Sequence, residues 1–536
     1  MTSMDTSPSS AGDARHHRRH PESVRSQHRS AVEEASDAHS PSEVHEYRID
    51  LERLRFSPYF GRLSAVTQVV PQSGVGPIMH NRLTHSLKVS AVARVIAANL
   101  AAHQARHRAH ADGRGAPDPV GATLTHLGGC DTIVAQSAAH AHDLGHPPFG
   151  HLGERTLDRI ARTELGLPEG FEGNAQTFRI LTALDTLGRD FPGLNLTAAV
   201  RASVLKYPWT RGQWAGVDLE QVPAEARPRG VGLDPTGGAV KFSAYALEAE
   251  EMDAVRSAFP TIDPFQQTVD CAIMDLADDI AYAVHDLDDF VRAGVLQQAE
   301  VAGEFHAWLG DDPGLRDSDT RDLRIRWREP GASLELLRRD ALRKDPWIAH
   351  SDEFEAAVRR ISADLGDDLL TRPYDGGGEA ERKVSAFTRR WIERLRTSVV
   401  VEAEPPVRGG HVRLDRRAWH EVLVLKFVHA RFVLDLPDIA LAQRGQRRVL
   451  EELVRGFDAW LSDPFDGGRA PRRLLEWVDH TTEATFALRD RRPDLLLGAA
   501  DDAGLRRQGR SRAILDYVAS LTDQQAVATH ASLTRG

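Results

Sequence analysis

The chain has 536 residues, 41% of them hydrophobic, and a formal net charge of −11 from 67 Lys and Arg against 78 Asp and Glu. The acidic balance excludes a protein that coats nucleic acid through a globally basic surface, leaving room only for a local basic patch. Two cysteines, Cys130 and Cys271, exclude a disulfide framework and a four-thiolate zinc site. A reducing cytosol is the simplest setting, and the expected location is cytoplasmic.

Residues 1–45 are rich in Ser, Pro, His, Arg and Asp and poor in large apolar side chains. Such a segment buries too little surface to offset its ordering entropy, so it is expected to be a disordered, solvated tail. It lacks an apolar signal-peptide core. Its run His16, His17, Arg18, Arg19, His20 is read as solvated rather than as a metal tract. From Tyr47 onward Leu, Val, Ala and Arg recur at helical spacing. Leu83, Leu87, Val89, Val92, Val95 and Ile96 predict a helix over 82–111. A second, Ala-rich helix is expected over 131–143, stopped where Gly145 and the pair Pro147, Pro148 forbid continuation. A third is expected over 263–291. Residues 311–331 and 371–382 read as polar, Gly-bearing insertions. Period-two alternation is scarce, and the best hairpin candidate pairs 399–403 with 411–414 across a Pro/Gly turn. The apolar stretch 419–436 predicts a buried helix. No apolar run approaches the roughly 20 residues of a membrane span. The fold class is therefore all-α, with at most a minor β-hairpin.

The densest chemical signal is the stretch from Ala139 to Glu154, which reads AHAHDLGHPPFGHLGE. An adjacent His142–Asp143 pair at the end of an apolar helix offers a neutral nitrogen and a carboxylate oxygen to one cation, and divalent metals of intermediate hardness accept that mixture. Two ligands alone bind weakly, so further ones are sought. His85 lies in an otherwise apolar helix, and Asp278 and Asp279 lie among Leu276, Ala277, Ile280 and Ala281. A buried carboxylate needs a cation or donors to stay ionised. Singly, each residue has a blander reading: a core histidine, a commonplace dipeptide, a solvated acidic face. The ordered set of His85, then His142–Asp143, then Asp278, each on its own helix, is more specific than its parts.

This set resembles that of the HD superfamily of metal-dependent phosphohydrolases, and within it the deoxynucleoside triphosphate triphosphohydrolases of the deoxyguanosinetriphosphate triphosphohydrolase-like group. Matching stretches include Thr67-Gln68-Val69, Asn81 to Leu87, His142 to Glu154, Phe171 to Gln176, Leu205 to Trp209, Ala277 to Asp286, and Asp516 through Asp523. The resemblance implies an HD core over 46–300, a helical connecting region over 301–400 and a C-terminal helical region over 401–536. It implies a metal set of His85, His142, Asp143 and Asp278 holding Mg²⁺, Mn²⁺ or another divalent ion. It further implies hydrolysis of a deoxynucleoside triphosphate to deoxynucleoside and triphosphate, by attack at the α-phosphorus.

His151 and Glu154 lie three residues apart and share a face if helical, so that a carboxylate beside an imidazole makes a general acid for the leaving 5′-oxygen. The resemblance places an acid–base pair at these positions. It makes Arg82 a phosphate contact, sets Tyr282 under the sugar, and gives Asp286 and Gln68 contacts to the deoxyribose or phosphate. His146 stands as either a neighbour of the metal ligands or a second-metal ligand, Lys206 as either a phosphate contact or a solvated surface lysine, and Asn174 without an assigned role. Two rival readings remain. One is another HD phosphohydrolase, such as a cyclic-dinucleotide phosphodiesterase, against which HDLGH stands in place of HDIGK with no GYP following. The other is a nucleotide-sensing or single-stranded nucleic-acid-binding module with weak catalysis, for which the Arg-rich runs 444–448 and 506–512 would serve. Those runs read more simply as solvated loops or ion pairs. A homo-oligomer and a regulatory dNTP are expected of the family.

Overall fold

A computed structural model describes residues 13–20, 42–68, 80–186, 191–231, 239–310, 313–434 and 436–534. The architecture is mainly helical, as the periodicity predicts, and its one hairpin pairs β1 (Val399–Val401) antiparallel to β2 (Val412–Leu414) with Val399 opposite Leu414. No helix among the described residues is long and apolar enough to cross a membrane.

The long helices that frame the core are α1 (Ser42–Phe56), α2 (Arg82–Ala111), α3 (Thr132–Ala141), α4 (Gly150–Thr163), α5 (Gly173–Arg179), α6 (Val269–Arg292), α7 (Gly378–Arg396), α8 (Arg416–Phe432), α9 (Pro437–Ser462), α10 (Arg472–Arg491), α11 (Asp502–Ala519) and α12 (Asp523–Thr534). Helix α2 begins where Asn81 and Thr84 exchange side-chain-to-backbone hydrogen bonds, a capping box that satisfies two otherwise orphaned donors. Val89, Val92, Ala93, Ile96, Ala97 and Leu100 then recur at helical spacing and are all buried. Each buried branched side chain contributes roughly 1.5–3 kcal/mol. Asp131 caps α3 through the amides of Ile133 and Val134, and Asp270 at the start of α6 accepts from the Asp131 amide. Helices α2, α3 and α6 thus meet in one core cluster.

Three expectations need correction. The third helix starts at Val269 rather than 263, because Pro264 and the Asp263 turn precede Thr268, whose hydroxyl caps the amide of Cys271. The polar stretch 311–331 carries short helices, Pro313–Arg316 and Thr320–Ile325, and buries Leu315 and Leu323 with Ala332. Residues 13–20, within the tail expected to stay solvated, lie against the core. The cause is electrostatic: Glu46 and Asp50 are buried carboxylates, and Arg18 supplies their cation at 3.0 and 2.6 Å. The His17 carbonyl accepts from the Ala198 amide, while His16 stacks on Tyr47 and His20 on Phe191. Residues 1–12 and 21–41 of that tail lie outside the described residues.

The C-terminal helices are fastened to the core through buried charge. Arg179 in α5 donates to Asp516 at 2.9 Å, to Glu248, and to the Thr481 hydroxyl at 3.1 Å, joining α5 to both α10 and α11. Helices α10 and α11 cross so closely that a Cβ on Gly509 would lie 2.6 Å from the Thr482 backbone. Of the Arg-rich run in α11, Arg512 is fully buried over the Tyr245 ring, so it acts as internal structure rather than as a solvated loop. Arg444 and Arg447 in α9 are exposed.

Candidate metal centre and active site

His142 and Asp143 follow the last residue of α3, where the chain leaves the helix toward Gly145. Helix α5 holds this exit: Thr177 Oγ1 accepts from the Gly145 amide at 3.0 Å and donates to the His142 carbonyl at 3.1 Å. Gly145 is obligatory in that contact, since a Cβ there would sit 2.1 Å from the Gly173 carbonyl. The His142 Nδ1–H donates to the Ala139 carbonyl at 2.8 Å. That bond fixes the tautomer and leaves the Nε2 lone pair, buried and unpartnered, for a cation.

The four expected metal ligands converge. His85 Nε2 lies 3.0 Å from Asp278 Oδ1, and His142 Nε2 lies 3.6 Å from Asp143 Oδ1 and 3.7 Å from Asp278 Oδ1. One ligand atom each from His85, His142 and Asp143 falls within 4.8 Å of the others. Nitrogen and oxygen ligands about 2.0–2.2 Å from one ion need separations of this order. Burial opposes ionisation of Asp143, yet Arg82 beside it, with His142 and His146, holds its carboxyl well below the usual range. Asp278 is likewise held anionic against burial by Lys206 and by His85. An orphaned imidazole nitrogen, a neighbouring one and two carboxylates fit a divalent cation.

Arg82, expected at a phosphate, is buried and donates to Asp143 Oδ2 at 2.9 Å, while its Nε and Nη2 are without protein partners. Lys206 is not a solvated lysine: it lies 2.6 Å from Asp275 and 3.3 Å from Asp278. His146 Nδ1 lies 3.0 Å from Asp143 Oδ1, and its ring meets that of His151 edge-on at 5.0 Å. Burial pushes the His146 imidazole down to about 4, so it is neutral near pH 7.

His151 and Glu154 lie near the start of α4, and His151 Nδ1 lies 3.1 Å from Glu154 Oε2. The side chains differ sharply in exposure, 57% for His151 and 8% for Glu154. Lys241 and Glu172 complete the pair: the ammonium donates to Glu154 and, at 2.9 Å, to Glu172. Burial would raise the Glu154 carboxyl, but Lys241 and then His151 outweigh it and hold it well below the usual range. Asn174 donates to Glu172, which caps α5.

A cavity of about 300 Å³ opens on His151 and is lined also by Gln68, Phe149, Arg155, Tyr282 and His429. Gln68 and Tyr282 therefore line one cavity with the expected acid. Asp286 is not among the lining residues. It sits two turns beyond Asp278 on α6, and burial, with Asp289 and Asp278 nearby, raises its carboxyl well above the usual carboxylate range. His429 was passed over in the sequence, although a histidine inside the apolar stretch 419–436 was a signal. Its ring packs tilted against those of Tyr282 and Phe290, with centroids 4.7 and 4.8 Å away. Lys241, 87 residues from Glu154, carried no local signal.

Residues 483–532 match the model of the phosphohydrolase-associated domain. Over 509 residues the chain is 29% identical to a deoxyguanosinetriphosphate triphosphohydrolase-like protein of Streptomyces coelicolor, covering 91% of this chain and 92% of that one. Proteins so named from Shewanella oneidensis and Corynebacterium efficiens are each 28% identical, across 90% and 93% of this chain and 91% and 93% of their own. These similarities agree with the resemblance drawn from the sequence: along most of its length the chain is similar to deoxyguanosinetriphosphate triphosphohydrolase-like proteins, it carries a match to a phosphohydrolase-associated domain, and the two together support a mainly helical hydrolase.

Proposed function

We propose that the protein hydrolyses deoxynucleoside triphosphates to deoxynucleoside and inorganic triphosphate, with His85, His142, Asp143 and Asp278 holding a divalent cation, Mg²⁺ or Mn²⁺. The observation that carries this reading is the convergence of those four side chains; the cavity walled by His151 and Tyr282 is lined by none of them, but Tyr282 lies one helical turn along α6 from Asp278. The bound ion supplies Lewis acidity to an α-phosphate oxygen and lowers the proton affinity of water.

The chain's own residues account for the rest. A water oxygen bonds to the α-phosphorus and releases one proton to solvent, the bond to the 5′-oxygen breaks, and His151 gives that oxygen its proton. Glu154 orients the imidazole through Nδ1 and stabilises its cationic form, and Lys241 keeps Glu154 ionised for that task. The exposed His151 regains its proton from solvent. Tyr282 presents an aromatic face to the sugar, where close packing disfavours a 2′-hydroxyl. Gln68 offers an unpartnered amide oxygen to a sugar hydroxyl. Arg82 has two unpartnered N–H groups for phosphate oxygens.

The test is a chromatographic product assay with each of the four dNTPs and with cyclic dinucleotides, in Mg²⁺ and in Mn²⁺. Deoxynucleoside and triphosphate are the expected products. Release of pyrophosphate, or cleavage of cyclic dinucleotides alone, overturns the reading.

A further inference from the structure

The cavity is bordered by two short segments far apart in sequence, one carrying Thr67 and Gln68, the other carrying Phe149 and His151. Phe149 is the N-cap of α4 and has a left-handed backbone, φ 63°, which is unusual for a bulky residue and persists only where the surroundings impose it. It has no side-chain cap of its own. Its amide instead donates to Asp523 Oδ1 at 2.8 Å. The other oxygen of the same carboxylate accepts from the Thr67 amide at 2.9 Å and from the Thr67 hydroxyl at 2.5 Å. Asp523 is the first residue of α12 and lies within the stretch that matches the phosphohydrolase-associated domain. Two residues earlier, the Leu521 carbonyl accepts from Arg62 at 2.9 Å, and the same guanidinium donates to the carbonyls of Leu144 and His146 at 2.8 and 2.7 Å. The C-terminal segment therefore holds the start of the His151 helix and the segment carrying Gln68 directly, and reaches the loop after Asp143 through Arg62.

We propose that Asp523 is a positioning residue, a carboxylate clamp that sets the start of α4, and so His151, in register with Gln68 across the cavity. A carboxylate suits the task because both oxygens accept and neither donates, so three donors from two segments are satisfied by one side chain. An amide of the same shape cannot replace it. Asp523→Asn leaves a single carbonyl oxygen, and one of the two backbone N–H groups then faces an NH₂. Misplacing a proton donor by about 1 Å costs on the order of 10²-fold in rate, whereas His85 and Asp278 sit on α2 and α6, His142 and Asp143 just after α3, and the hydrogen bonds of Asp523 among the described residues go to Thr67 and Phe149.

The turnover arm of the test rests on the dNTP hydrolysis proposed above; the exchange arm does not. Amide hydrogen exchange is compared in the full-length wild type, in Asp523→Asn, and in Ala526→Gly, which loosens α12 without removing the clamp. Asp523→Asn is expected to speed exchange at Phe149 or Thr67 by about tenfold or more, to lower kcat roughly 10- to 100-fold, and to leave Mn²⁺ affinity and the folded fraction unchanged. Ala526→Gly is expected to leave both amides protected and kcat near wild type. Unchanged exchange at both amides in Asp523→Asn overturns the clamp. So does a kcat loss that Ala526→Gly reproduces in full, since that assigns the loss to a frayed C-terminus. If the wild type turns over no dNTP, the functional reading has failed, and exchange at Phe149 and Thr67 alone decides the clamp.

Discussion

The two halves of the site are built on opposite plans. On the cation side, His85, His142 and Asp143 are buried, Asp278 stands at their edge, and Arg82 and Lys206 neutralise the carboxylates from the protein side. On the proton side, His151 is more than half exposed, and only its partners Glu154 and Glu172 are buried, bridged by Lys241. The first arrangement holds charge in a fixed geometry. The second leaves the imidazole in contact with solvent while locking the group that orients it. A buried cluster suits a role in which geometry is everything, and an exposed imidazole suits one in which a proton must be replaced each turn.

The comparison breaks most visibly on the cation side. Asp143→Ala removes a ligand and strands Arg82 as a buried unpaired cation, so Mn²⁺ binding and turnover should both fall to background. Calorimetric titration with Mn²⁺ and the product assay read these separately, and retention of either places the centre elsewhere. His151→Gln should lower turnover by roughly 10²- to 10⁴-fold while the Mn²⁺ titration is unchanged. Lost metal affinity would move His151 into the ligand set with His146 and Glu154, the second group of side chains close enough to hold an ion.

A subtler change sharpens the proton side. With Lys241→Met, the largest influence that opposes burial is removed, and the Glu154 carboxyl rises from its depressed position. A carboxylate whose pKa rises is lost at higher pH, so the acid limb of the kcat/KM profile should move to higher pH. Rates well above that limb should change least. A profile that keeps its acid limb in place would mean that Lys241 does not set the charge of Glu154.

Much of the site was legible because it lies in contiguous motifs on helices. The His142–Asp143 pair at a helix exit and the three-residue spacing of His151 and Glu154 both follow from helical periodicity, and α2 runs over the predicted 82–111. What the sequence hid depends on long-range partnership. Lys241 reaches Glu154 from a loop, and Lys206 looked solvated because nothing local shows that Asp275 and Asp278 surround it. The docking of residues 13–20 was hidden for the same reason: composition describes what a segment lacks, whereas Arg18 is held by buried acids supplied by α1. The upward shift of the Asp286 carboxyl is likewise a property of surroundings rather than of spacing.

Turnover of a dNTP in ¹⁸O-enriched water, with mass analysis of both products, tests the central claim most directly. Attack at the α-phosphorus with the 5′-oxygen leaving predicts one ¹⁸O in the triphosphate and none in the deoxynucleoside. Label in the deoxynucleoside, or its appearance in pyrophosphate or phosphate instead of triphosphate, would contradict the account.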